Sequence, residues 1–85
     1  MDDNREYMGQ FTLHGVGYSL EGAGDLLYVE RLTSPTSAVP VCTITGRDRN
    51  TAHELLDVRE EMSDECRAEL IRAAVEHYRA WLVDH

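Results

Sequence analysis

The side chains that could do chemistry in this sequence gather in one stretch. Glu54, Asp57, Glu60, Glu61, Asp64, Glu65 and Glu69 place seven carboxylates within residues 54–69, against Arg59 and Arg67, for a net charge of −5. A field of that sign steers a basic partner and can stand in for a run of phosphates. The plainer reading is a solvated helix face with local Arg–Glu pairs. Helical spacing groups Asp57, Glu60, Glu61 and Asp64 if one helix runs through them.

The other reactive side chains form no such group. His14, His53, His77 and His85 occur with Cys42 and Cys66, but no Cys-x-x-Cys or His-x-x-x-His pair is present. Structural zinc usually needs such spacing, so no metal ligand is assigned. Cys66 and His77 share a helix edge about 16 Å apart, too far to bind one ion. Ser19, Ser34, Ser37 and Ser63 fall in turn or cap contexts. Nucleophilic catalysis needs a nucleophile, a base and an orienting group together, and no such trio is legible. Paired carboxylates need a pocket that splits their pKa values, and 85 residues rarely enclose one. Hence no catalytic residue and no cofactor is expected.

Gly15-Val16-Gly17 and Gly22-Ala23-Gly24 resemble pieces of a phosphate loop. They lie between strands rather than before a helix, and no lysine accompanies them, so they read as turn and bulge residues. Arg47 and Arg49 flank Asp48 and could grip a phosphate or a partner's carboxylate. Arginines so placed more often pair with the chain's own acids.

Composition narrows the classes. The chain has 85 residues, Asp+Glu 16 against Lys+Arg 8, and a formal net charge of −8; all eight cations are arginine. A general nucleic-acid binder displaces counterions with cationic side chains, and a pI of about 4.8 argues against direct binding. A membrane surface calls for the same positive sign. Hydrophobic residues at 42% and charged residues at 28% indicate a globular chain. The absence of lysine fits a GC-rich source or a high-salt surface. The start, Met1-Asp2-Asp3-Asn4-Arg5-Glu6, is acidic rather than basic and apolar, so no secretory signal is read. Two cysteines read as free thiols in a reducing cytoplasm.

The elements follow from periodicity. Residues 1–6 read as a frayed tail and 7–46 as a β-meander. Tyr7, Phe11 and Leu13 alternate with Gln10, Thr12 and His14, which predicts a half-buried strand that continues past Gly15 and Gly17 through Tyr18 and Leu20. Glu21–Asp25 is a turn. Leu26–Thr33 is a second strand, with Leu27 and Val29 on one face and Leu26, Tyr28 and Leu32 on the other. After the Ser34–Ser37 loop, Val39–Thr45 is a third strand ended by Gly46; Pro40 belongs at its start or on an edge. Residues 51–85 read as helical. Thr51 and Glu54 match a capping box, predicting a helix over about 52–61. Ser63 starts a second helix, with Asp64 and Glu65 suiting its dipole. In it, Leu70, Ile71, Ala74, Val75, Tyr78, Trp81 and Leu82 share an arc of about 140°. From Asp64 to Asp84 it runs about 30 Å, enough to lie along an eight-residue strand of about 26 Å.

The expected fold is therefore α+β, one domain over 1–85. A three-stranded antiparallel meander precedes two helices, βββαα, with the long C-terminal helix on one sheet face. Some DNA-binding domains also set strands before a helix, but they read DNA with basic and aromatic residues that this chain lacks. The leading functional expectation is a non-enzymatic, cytoplasmic, acidic protein-binding module. Its concrete form is a small inhibitor or nucleic-acid mimic docking on a basic surface of a nucleic-acid-handling protein, like phage proteins that block CRISPR effectors by analogy of size and charge. One alternative is a regulatory or accessory subunit that assembles through the exposed sheet face as a homodimer or heteromer, with Tyr28, Leu32, Arg47 and Arg49 as interface residues. Another is a small metal- or ligand-binding domain using His14, His53 or the acids.

Overall fold

The computed structural model describes residues 5–46 and 53–84. Its elements are β1 (Glu6–Leu13), β2 (Val16–Ala23), β3 (Leu26–Ser34), β4 (Ser37–Thr45), β5 (Leu55–Leu56) and α1 (Asp64–Asp84). The strands pair antiparallel in chain order, β1-β2-β3-β4-β5. The fold is α+β, with five strands rather than three and one helix rather than two among the described residues.

The extra strand at the front comes from a turn. His14 and Gly15 both have positive φ, 52° and 78°. Two consecutive positive values define the tight hairpin whose twist matches the flanking strands. The chain reverses there, so the predicted long strand is two strands, with Leu13 opposite Val16 and Phe11 opposite Tyr18. The second hairpin turns on Gly24 (φ 59°) and Asp25 alone, leaving Glu21–Ala23 within β2. At the third, Ser34 Oγ accepts from the Thr36 amide at 3.2 Å.

The helix expected over 52–61 does not form across its described residues; Thr51 and Ala52 lie outside them. Leu55 and Leu56 instead pair with Ile44 and Thr43 along the free edge of β4. The strap continues: Thr45 N donates to Glu54 O at 3.0 Å, Glu54 N donates to Thr45 Oγ1, and Arg59 N donates to Val41 O at 2.7 Å. An exposed strand edge has backbone groups to satisfy, and this pairing satisfies them while seating Leu55, Val58 and Met62 against the core. Tertiary pairing here overrides a local helical signal.

Two bulges re-aim side chains. Met8 and Gly9 together oppose Leu20, so the alternation of β1 slips by one. Met8 is then 1% exposed and Tyr7 is 55% exposed, reversing the predicted inward position of Tyr7. Gly9 has φ 91° and lies against α1: a Cβ there would meet His77 Nε2 at 3.3 Å. The second bulge, at Val41, adjoins Pro40, where a missing amide is tolerated.

The core lies between the sheet and α1. Met8, Leu20, Leu27, Val29, Val41, Cys42 and Ile44 meet Leu70, Ala74, Val75 and Tyr78. Burying each large aliphatic side chain contributes about 1.5–3 kcal/mol. Ser63 caps α1, its Oγ accepting from the Cys66 amide at 3.1 Å. This helix matches its predicted span, with Asp64 and Glu65 in the first turn. No helix of the described residues is long and apolar enough to cross a membrane.

Candidate partner-binding surfaces

The acidic stretch is positioned by the strap along β4, the connection after it and the first turns of α1. Because 53–63 is not helical, its carboxylates do not line one helix face. Glu54 is exposed beside the β4 edge, where its backbone pairs with Thr45. Asp57 is exposed at a positive φ of 52°, just past β5. Glu60 turns to the helix-covered face: its Oε2 accepts from Arg31 Nε at 2.9 Å and lies 2.8 Å from Arg31 Nη2. This two-nitrogen grip holds the connection to β3 and raises the Arg31 pKa. Glu69 accepts from His14 Nε2 at 2.9 Å, joining α1 to the first hairpin. Glu61, Asp64 and Glu65 are exposed and, with Asp57, make no ion pair among the described residues.

The seven predicted carboxylates thus separate. Two have structural partners, one flanks the sheet edge, and four face solvent. Sequence reading could not find the pairs, because Arg31–Glu60 and His14–Glu69 join residues 29 and 55 positions apart.

A polar cluster lies beneath the connection. Tyr18 is stacked on Phe11 at 5.4 Å, and its pKa is raised by burial, then by Cys66 and Glu60. Burial, followed by Glu60, pushes the Cys42 thiol up to about 11. Cys42 and Cys66 are both free thiols. A reactive cysteine needs the opposite environment, exposed and beside positive charge.

The sheet face away from α1 carries Tyr28 and Leu32, as the alternation of β3 predicts. Tyr28 lies under Arg5, whose guanidinium carbon is 3.7 Å from the ring centroid; Arg5 also pairs with Glu21 at 3.3 Å. Leu32 packs over Gly17, where a Cβ would meet Leu32 Cδ1 at 3.2 Å. A groove of about 150 Å³ runs beside them, lined by Arg5, Tyr28, Glu30, Pro40, Thr43, Asp57 and Arg59. Arg47 and Arg49 lie outside the described residues.

Three histidines lie among the described residues, and their contacts serve the fold. His14 leaves the strand face predicted for it and sits in the hairpin turn. His77 Nε2 donates to Met8 O at 2.7 Å, and His53 Nδ1 donates to Thr45 O at 3.1 Å. His53 Nε2 is buried and has no hydrogen-bond partner among the described residues. Among the described residues no three His, Cys, Asp or Glu side chains group as metal ligands. No protein-family model, curated protein sequence or solved structure matches this chain.

Proposed function

We propose that the chain is a non-enzymatic protein-binding module that presents its acidic end to a basic surface of a nucleic-acid-handling partner. One observation carries this reading. Asp57, Glu61, Asp64 and Glu65 are exposed and unpaired among the described residues, within the segment that concentrates the net charge. Folding thus spends Glu60 and Glu69 on internal contacts and leaves four carboxylates to solvent. Asp64 and Glu65 also complement the α1 dipole, which fixes part of their role inside the fold. Glu61 and Asp57 have no such duty.

The test is a partner recovered on the immobilised chain and then titrated at several salt concentrations. Affinity should fall steeply as salt rises. Replacing Asp57 by Asn and Glu61 by Gln should weaken binding about 2- to 30-fold, from two exposed ion pairs at about 0.2–1 kcal/mol each. The partner's own nucleic acid should compete. Salt-independent affinity, or binding unaltered in the double variant, refutes the reading. Glu60 and Glu69 are poor test sites, because their loss alters internal contacts.

A further inference from the structure

We infer that the groove on the open sheet face binds a small zwitterion, a free α-amino acid, with its carboxylate on Arg59 and its ammonium group between Glu30 and Asp57. The groove lies on the side away from α1. Its floor is Tyr28 and Thr43, which pair across β3 and β4. Arg5 forms one side: it pairs with Glu21 on β2 and lies 3.7 Å over the Tyr28 ring. Asp57 and Arg59 form the other side, on the strap beyond β4. Neighbouring strands are about 4.8 Å apart, so the two sides stand about 10 Å from each other across β4.

The charges select the ligand. Arg5 and Arg59 bring two cations into the groove, and Glu30 and Asp57 bring two anions. Arg5 is held by Glu21, whereas Glu30, Asp57 and Arg59 make no ion pair with one another or with any other described residue. Opposite charges that share a groove without closing on each other leave room for a molecule that carries both signs. A purely anionic ligand would meet Glu30 and Asp57, and a purely cationic one would meet Arg5 and Arg59. A zwitterion gives each sign a partner. Thr43 points the same way independently. It is only 8% exposed and lines the groove, yet its hydroxyl has no hydrogen-bond partner among the described residues. Buried hydroxyls usually have one.

The size agrees. A water molecule takes about 30 Å³ of liquid, so a groove of about 150 Å³ admits about five to ten non-hydrogen atoms. Glycine and leucine span that range. The three donors of an ammonium group match the Glu30 and Asp57 carboxylates and Thr43 Oγ1, and the planar fork of Arg59 suits a carboxylate. The groove is open on one side, so water competes and affinity is modest.

Titration of the isotope-labelled chain with glycine and with leucine, followed by NMR, tests this. The amide signals of Tyr28, Thr43, Asp57 and Arg59 should move and saturate, with a dissociation constant of about 10 µM–1 mM. The amide and N-acetyl forms of the same amino acids keep one charge each and should bind about 10-fold more weakly or worse. Arg59→Gln and Asp57→Asn should each weaken binding about 10-fold, and Thr43→Val about 3- to 10-fold. Arg59 and Asp57 are exposed, and asparagine tolerates the positive φ at position 57, so these two variants keep the fold. Arg59→Gln also separates this site from the acidic docking surface: it removes a cation, so a basic partner should bind as well or better while the amino acid is lost. No shift with either amino acid at about 10 mM overturns the inference. So do shifts confined to another part of the chain, equal binding of either singly charged form, or binding unaltered by Arg59→Gln.

Discussion

Gly9→Ala tests how the helix is fastened to the sheet. Gly9 holds φ 91° in the β1 bulge, and an added Cβ would lie 3.3 Å from His77 Nε2. Two costs arise. Alanine in a left-handed backbone costs about 1–2 kcal/mol. The imidazole must also shift by a few tenths of an ångström, weakening its 2.7 Å bond to Met8 O. That bond contributes about 1 kcal/mol, so the total is about 2–3 kcal/mol. Gly15→Ala separates the terms: φ is 78° but nothing lies within 4 Å of the added Cβ. It should cost only the backbone part, about 1–2 kcal/mol. Urea denaturation with a constant m-value measures each, and His77→Ala completes a double-mutant cycle. In the His77→Ala background, Gly9→Ala should cost about 1 kcal/mol less than in the wild type. Equal costs for Gly9→Ala and Gly15→Ala, or no coupling to His77, would refute the reasoning.

Three further perturbations read other parts of the fold. Leu70 is 1% exposed on α1, so Leu70→Ala should cost about 2–5 kcal/mol by the midpoint of urea unfolding; a loss below 1 kcal/mol would mean that α1 does not seal the core. Arg31 and Glu60 are each about one-third exposed, so a double-mutant cycle between them should give weak but measurable coupling, and none at all would show that the connection is not held there. The Cys42 thiol rises from 9.0 to about 11 on folding. A raised folded pKa supports the fold below about pH 9 and withdraws that support as pH climbs toward 11, so Cys42→Ala should flatten the alkaline loss of stability in that window. An unchanged alkaline slope would contradict it.

What was legible in the sequence depended on range. Helix α1 was legible in its span, its Ser63 cap and its buried arc except at Leu82, which is exposed, because all three are local to twenty-one residues with helical spacing. The inward and outward faces of β3 were legible for the same reason, through strict alternation. The hairpin at His14-Gly15 was hidden because the two-residue hairpin signal is Asn-Gly or Asp-Gly, and His-Gly does not carry it. The placement of Tyr7 failed because one bulge inverts every position before it. The strap at 53–59 was illegible in principle: a two-residue strand is defined by its partner, and the apolar spacing of Leu55, Val58 and Met62 also fits a helix. The acidic stretch inherited that error. Its charges were counted correctly, but their grouping rested on a helix that β4 claims as an edge partner.

The bond from His77 to the Met8 carbonyl has a consequence for how the sheet meets other chains. A terminal strand is a template on which further strands can add without limit, leading to fibres. On β1 the bulge kinks that template, and the imidazole occupies a carbonyl within the bulge. At the far side β5 offers only two paired residues. Both ends of the sheet are thereby poor sites for strand addition, and polymerisation along its edges is discouraged. Loss of His77 should then show not only as lower stability but as a chain more prone to aggregate on storage.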